Sequence, residues 1–417
     1  MLIHSASQLV TPSGGAHRGI EMSHLQIIPD GAVLIRDGVI RQVGSTSELL
    51  RAYPDEEKLD AAGKAVIPGL VDPHTHLVWA GDRAAEFEMR LQGKTYMEIM
   101  ATGGGIASTV RATRQAGVDE LIRQALPRAG SMFAHGTTTA EAKSGYGLEL
   151  GSEIDQLQAI LLLDSMSPLE LVPTFLGAHA VAPEYSADPD GYTALVCDDM
   201  LSALKEWWKA HVHGLPLPFV DVFCEVGAFN LQQTRRILAK AKSLGFPLKV
   251  HVDEFEALGG TRLAVELGAV SADHLVKTPP EELHLLAESN TVAVSLPCTP
   301  FGLADPQYTQ ARAIIDNGGV LALASDLNPG TAWCGNMQFV MALACRYLKL
   351  TPAEALTAAT INAAAAINLE GRVGSIEPGK QADLLVLNVD DYRHLMYRFG
   401  TNLVETVIKA GRVYPNK

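Results

Sequence analysis

Two imidazoles stand two residues apart in Asp72-Pro73-His74-Thr75-His76. On an extended strand, alternate residues point the same way, so both rings could face one metal ion. Thirteen histidines in 417 residues make such a spacing common by chance, and a second one occurs at His211 and His213. Position decides between them. His211-Val-His213 lies in KAHVHGLPLP, after an amphipathic stretch and before a Pro-rich loop, and reads as a solvated helix end. His74 and His76 instead close the apolar run LVDPHTH. Three further runs end in the same manner: PLKVHVDE on His251 and Glu254, SADHL on His274, and VLALASDLN on Asp326. Three His and one Asp form a nitrogen and oxygen donor set that suits zinc or iron with a position left for water. Glu254 and His274 are then spare and would flank the attacking water as proton carriers. The plain alternative is a group of satisfied polar side chains with no metal.

Residues at four strand ends meet only if the fold gathers those ends. Eight apolar runs alternate with helical segments: 70–76, 137–145, 170–179, 219–225, 247–254, 271–275, 291–298 and 320–328. This βα repetition allows an open doubly wound sheet or a closed barrel of eight strands, and eight is the number that closes the barrel and makes one rim of the strand ends. Helix punctuation supports the alternation. Ser152 is expected to cap one helix, Asn230 another that ends at Gly245, and Thr351-Pro352 to open a long Ala-rich one. Outside the repeat, residues 32–43 read as two strands joined by Asp37-Gly38, a pair suited to a tight hairpin. Residues 382–388 and 404–414 are strand-like too, so the two chain ends are expected to share a sheet. The stretch 78–117, with Gly103-Gly104-Gly105, is too long for an ordinary loop and lacks the GKS or GKT of a phosphate loop, so it reads as a lid or linker.

Composition narrows the partners. Apolar residues are 47% of the chain, charged ones 19% and aromatic ones 6%, the profile of a globular enzyme rather than a disordered chain. A formal charge of −14 would repel nucleic acid and anionic membranes. Cys197, Cys224, Cys298, Cys334 and Cys345 are odd in number and contain no CxxC pair, which fits a reducing compartment. The N-terminus has no basic flank followed by an apolar core, and no apolar run reaches the roughly 18 residues of a membrane helix. A cytoplasmic protein acting on a small molecule is expected.

In that order, PGLVDPHTH, HVDE and ASDLN, with GSIEPGKQADLLVL near the C-terminus, resemble the amidohydrolase superfamily over nearly the whole chain. The resemblance implies a (β/α)₈ TIM-like barrel over 69–371 and a small β-sandwich domain from 1–68 plus 372–417. It implies one zinc or iron ion per subunit, held by His74, His76, His251 and Asp326, and a homodimer. Longer stretches, HTHLVWAGDRAAEFEMRLQGKTYMEIMATGGGIASTVRATR, AEAKSGYGLEL and TFLGAHAVAPEY, resemble one branch of it. That branch opens the ring amide of 4-imidazolone-5-propanoate, giving N-formimidoyl-L-glutamate in histidine degradation.

By the same resemblance, substrate would be bound by Arg83, Tyr146, His179, Glu254, Asn328, Gly330 and Thr331, and Glu254, His274 or Asp326 would move the proton. Each makes chemical sense. Arg83 offers a planar fork to the propanoate, although GDRAAEFE also reads as a charged surface turn. Tyr146 in SGYG could wall a pocket. In DLNPGT, backbone N–H groups and the Asn328 amide could hold a second carboxylate, or simply form a turn. A bridging carboxylated lysine on the fourth run is absent from FVDVFCE, which supports a single metal. Glu225 reads as a supporting or structural carboxylate, and with Lys249 two before His251 a bridging carboxylate or a buried amine stays open. Nucleobase deaminases share the donor pattern but act on bases with no carboxylate tail, so Arg83 would have no partner there. A metal-free scaffold should have lost ligands, and none of the four is missing.

Overall fold

The computed structural model describes residues 1–94, 98 and 104–416; Gly103 and most of 95–102 in the expected lid, and Lys417, lie outside the described residues. Five strands open the chain: β1 (Leu2–Thr11), β2 (Gln26–Arg36), β3 (Val39–Ser45), β4 (Lys58–Asp60) and β5 (Val66–Pro68). Eight more fall on the eight apolar runs: β6 (Leu70–Asp72), β7 (Thr137–Lys143), β8 (Glu170–Ala178), β9 (Phe219–Cys224), β10 (Lys249–Val252), β11 (Ser271–His274), β12 (Val292–Ser295) and β13 (Leu321–Leu323). β14 (Leu384–Leu387), β15 (Val404–Lys409) and β16 (Arg412–Pro415) end it.

Strands β6 to β13 pair in chain order as one parallel sheet. Beyond β6 the chain stays extended through His76 and meets the end of β13. Thr75 bridges Leu327, the His76 N–H donates to the Leu327 carbonyl at 2.9 Å, and the Asp326 N–H donates to the His74 carbonyl at 3.1 Å. These bonds satisfy both edges, so the closed barrel forms rather than the open sheet. The seam carries two of the candidate ligands on one side and the third on the other.

The other sheet runs β16-β15-β14-β5-β1-β2-β3, with β4 paired to β1, and so joins the two chain ends. Asp37 (φ 54°) and Gly38 (φ 73°) both take the left-handed backbone that a two-residue hairpin demands. One apolar cluster draws Ile3, Val33 and Ile40 from the first strands and Leu384, Val386 and Ile408 from the last, so both ends fold over a single core.

Two helix details differ from expectation. Glu149, not Ser152, stands at the start of helix Leu150–Met166, and Ser152 lies within it, donating to Glu149 at 2.6 Å. The Ala-rich segment is two helices, Pro352–Ala358 and Ile361–Ala365. The break at Thr360 frees the Ala359 carbonyl, which accepts the Val71 N–H of β6 at 2.9 Å. Asn230 and Thr351 cap their helices as expected, and each does so in a reciprocal capping box, with Gln233 and Glu354 respectively. His211 and His213 are exposed, with His211 at the end of helix Leu201–His211. No helix among the described residues is long and apolar enough to cross a membrane.

Candidate active site

The barrel rim gathers His74 and His76 from the end of β6, His251 from β10, His274 from β11 and Asp326 from beyond β13, all buried. His74 Nε2 and His76 Nε2 each lie 3.6 Å from Asp326 Oδ1, and His251 Nε2 lies 3.5 Å from His76 Nε2. In two overlapping triplets, His74–His76–Asp326 and His74–His251–His274, the donor atoms fall within 4.8 Å of one another. Simple strand alternation would place His274 on the face opposite Asp273. Positive φ at His274 (84°) and Leu275 (61°) changes that path, and Asp326 is also left-handed (φ 55°). Such backbone is costly for residues other than glycine and collects where function demands a side-chain direction. Thr299 fixes the Asp326 carboxylate by donating to Oδ2 at 2.5 Å.

Burial sets the electrostatics. It holds the His74, His76 and His274 imidazoles well below their ordinary range, hence neutral with a lone pair to give, and pushes the Asp326 carboxyl up to about 6. Buried His74 Nε2 meets no hydrogen-bond partner among the described residues. The surrounding charges tell the same story. Lys143 Nζ lies 2.6 Å from Glu141 and 2.8 Å from Asp221, and Lys249 Nζ lies 3.5 Å from Asp273. With Asp326, four carboxylates face two lysines, and buried Asp72 and Glu254 add to them, so negative formal charge is in excess in a dry interior, where uncompensated charge is expensive. An orphaned nitrogen, a nearby carboxylate and this excess fit one divalent cation.

Around the rim, Glu254 is buried with Oε2 3.7 Å from His274 Nδ1, and burial raises its carboxyl well above the usual range. His179 stacks on His76 with centroids 4.7 Å apart, its Nδ1 3.0 Å from the Gly145 carbonyl, and burial pushes it down to about 3. Tyr146 is buried with its ring 5.2 Å from His179. Arg83 precedes helix Ala84–Leu91 and is paired through Nε with Glu86 at 2.8 Å. Its Nη1 faces Gly330 so closely that a Cβ there would stand 2.4 Å away and push the guanidinium aside. Arg90 donates to the Gly330 carbonyl at 3.0 Å. The Gly330 and Thr331 N–H groups both donate to Asn328 Oδ1 at 2.8 Å, so the three residues form a hydrogen-bonded turn.

Five supporting residues were not singled out from sequence: Glu141, Lys143, Glu153, Asp221 and Asp273. Asp273 Oδ2 accepts from His74 Nδ1 at 2.6 Å, and Asp221 Oδ2 lies 3.0 Å from His251 Nδ1. Glu153 accepts the N–H groups of Gly145, Gly147 and Leu148 and so shapes the loop that carries Tyr146. The available signal was charge on apolar strands at even spacing, as in Glu141/Lys143 and Lys249/His251. Glu225 accepts the N–H groups of Val226, Phe255 and Glu256, holding the loop beside Glu254. Of the two alternatives that the sequence leaves open, Lys249 is a buried amine, donating to Ser271 at 2.7 Å.

A closed barrel with His and Asp donors at one rim defines the amidohydrolase class of metal-dependent hydrolases, and the Amidohydrolase family profile matches residues 227–414. Solved structures share the fold: guanine deaminase from E. coli (TM-score 0.74, 17% identity, 100% of this chain and 99% of that one), and a zinc-bound adenosine deaminase from Xanthomonas campestris (TM-score 0.71, 21%, 99% and 92%). Residues 31–55 match the bacterial imidazolonepropionase-like composite domain. Proteins named imidazolonepropionase from Herpetosiphon aurantiacus and Geobacillus kaustophilus are 53% and 47% identical, over 99% and 100% of this chain and 96% and 98% of their own lengths. The chain belongs to the imidazolonepropionase family.

Proposed function

We propose that the chain hydrolyses the ring amide of 4-imidazolone-5-propanoate to N-formimidoyl-L-glutamate, with His74, His76, His251 and Asp326 holding one zinc or iron ion. The observation that carries the metal reading is the buried, unpartnered His74 Nε2 facing Asp326; the substrate rests on family membership. A divalent ion bound there supplies Lewis acidity, lowering the pKa of water at the site to roughly 7. Glu254, buried beside His274, takes the proton from the attacking water. The same proton then passes to the ring nitrogen as its bond to the carbonyl carbon breaks. His274, beside Glu254, steadies the oxygen that gains charge, as a neutral donor. Arg83 meets the propanoate, Tyr146 and His179 wall the ring, and Asn328, Gly330 and Thr331 receive the carboxylate that hydrolysis creates. The enzyme works in the cytoplasm as a homodimer, with its terminal sheet and barrel divided near residues 68 and 372.

The test is metal content of the purified protein beside turnover of imidazolonepropionate and ammonia release from guanine and cytosine. One metal equivalent, ring opening and no ammonia are expected. Ammonia release without ring opening would make the chain a nucleobase deaminase.

A further inference from the structure

Five buried ionisable groups around the ligands take no part in the chemistry above. Two of them touch ligand rings on the side away from Asp326. Asp273 Oδ2 lies 2.6 Å from His74 Nδ1, and its other oxygen accepts the Ser271 hydroxyl at 2.6 Å. Lys249 Nζ donates to the same hydroxyl at 2.7 Å and lies 3.5 Å from Asp273 Oδ2. On β9, the strand beside β10, Asp221 Oδ2 lies 3.0 Å from His251 Nδ1 and 2.8 Å from Lys143 Nζ, which is itself 2.6 Å from Glu141. His76 differs: its Nδ1 meets no partner and no carboxylate among the described residues, whereas His251 Nδ1 has the Asp221 carboxylate within 3.0 Å.

A carboxylate has only lone pairs to offer, so an imidazole nitrogen beside it must carry the proton. The opposite nitrogen is then left with its lone pair, and outer carboxylates of this kind both orient a histidine and make it a better donor. We infer that Asp273 and Asp221, each anchored by a buried lysine, are positioning residues that fix His74 and His251 with Nε2 as the metal donor, while His76 is held by stacking on His179. This inference rests on the metal site proposed above. The His74 contact is the shorter, and the His251 N–H lies out of line with Asp221, so Asp273 carries more of the effect.

The experiment uses the full-length zinc-loaded protein and competition with a chromophoric chelator. Asp273→Asn and Asp221→Asn should each weaken zinc binding by about 10- to 100-fold, Asp273→Asn the more, because an amide presents both a donor and an acceptor and no longer selects one nitrogen. Activity should largely return at saturating zinc, which a general structural fault would not allow. Asp253→Asn is the control. Asp253 is equally buried two residues from His251, but bonds only Thr261 and Thr278 among the side chains, so zinc affinity should hold. Should the variants fail to fold, ring-labelled histidine spectra of the zinc-loaded parent decide: downfield Nδ1–H signals are expected for His74 and His251 and not for His76. Unchanged zinc affinity in both folded variants, or Nε2–H protons on those two rings, overturns the inference. If His74→Ala still binds zinc as the parent does, it is the metal site itself that fails.

Discussion

Two buried lysines, each clamped between two carboxylates, sit in this molecule with opposite outcomes. Where the terminal sheet meets the barrel, Lys409 of β15 donates to Glu170 at 2.8 Å and Asp383 at 2.7 Å. The spare oxygens there are also used: Asp383 accepts from Ala410 and Gln381, and Glu170 from Arg372 and Gln381. At the rim, Lys143 is clamped just as tightly by Glu141 and Asp221, yet Asp221 Oδ1 and His74 Nε2 meet no partner. A network that only holds domains together can saturate its hydrogen bonds; one that must bind an ion keeps donor atoms in reserve. Between these two networks, unmet buried atoms rather than buried charge as such make the difference.

The largest break in that contrast should come from the ligands. His251→Ala or Asp326→Ala is expected to abolish tight metal binding and to reduce hydrolysis to background, because each supplies one of four donors. Metal analysis after gel filtration, with turnover on the same sample, checks it; full activity in a metal-depleted double variant would sink the reading. Next comes Glu254→Gln, which should retain the metal and lose turnover by about 10²- to 10⁴-fold, since the amide keeps the shape but cannot take a proton. A loss below about threefold would transfer that role to His274 or Asp326.

Arg83→Met should act mainly on KM, by about 2 to 5 kcal/mol if the propanoate pair is desolvated, with the metal untouched. Its existing pair with Glu86 favours the lower end, because the guanidinium is already partly neutralised. The measurement compares kcat/KM for two proteins against two substrates, imidazolonepropionate and a ring analogue without the carboxylate. Equal losses on both would make Arg83 structural.

The smallest effect belongs to the saturated network and appears in stability alone. Lys409 and the Arg372 hydrogen bond outweigh burial and hold the Glu170 carboxyl at about 2, below its ordinary 4.5. A depressed folded value means the stabilisation is present above about pH 4.5 and is lost as pH falls toward 2. Glu170→Gln should therefore cost about 2 to 3 kcal/mol at pH 7. The gap between parent and variant in urea unfolding should close through that acid window. A constant gap would remove ionisation as the cause.

The ligand types were legible because each closes an apolar run: His74 and His76, His251, His274 and Asp326 could be named before any geometry was known. The pairing of Asp37 with Gly38 and the caps at Asn230 and Thr351 were legible for a similar reason, since turn and cap chemistry is local. Arg83 was harder, since its ion pair with Glu86 is local but the approach of Nη1 to Gly330 joins residues 247 positions apart.

By itself, then, the sequence determined the alternation of strand and helix, the donor types and their place at strand ends, because hydrophobic period and local backbone preference act over a few residues. Only the tertiary structure decided that the sheet closes at the Thr75–Leu327 seam, that a left-handed backbone accompanies His274 into the donor cluster, and that Asp273 backs His74 while Asp221 backs His251. Those outcomes depend on contacts between segments about 30 to 250 residues apart, whose energies arise from burial and charge pairing in a shared interior and leave no trace in the spacing of either segment alone.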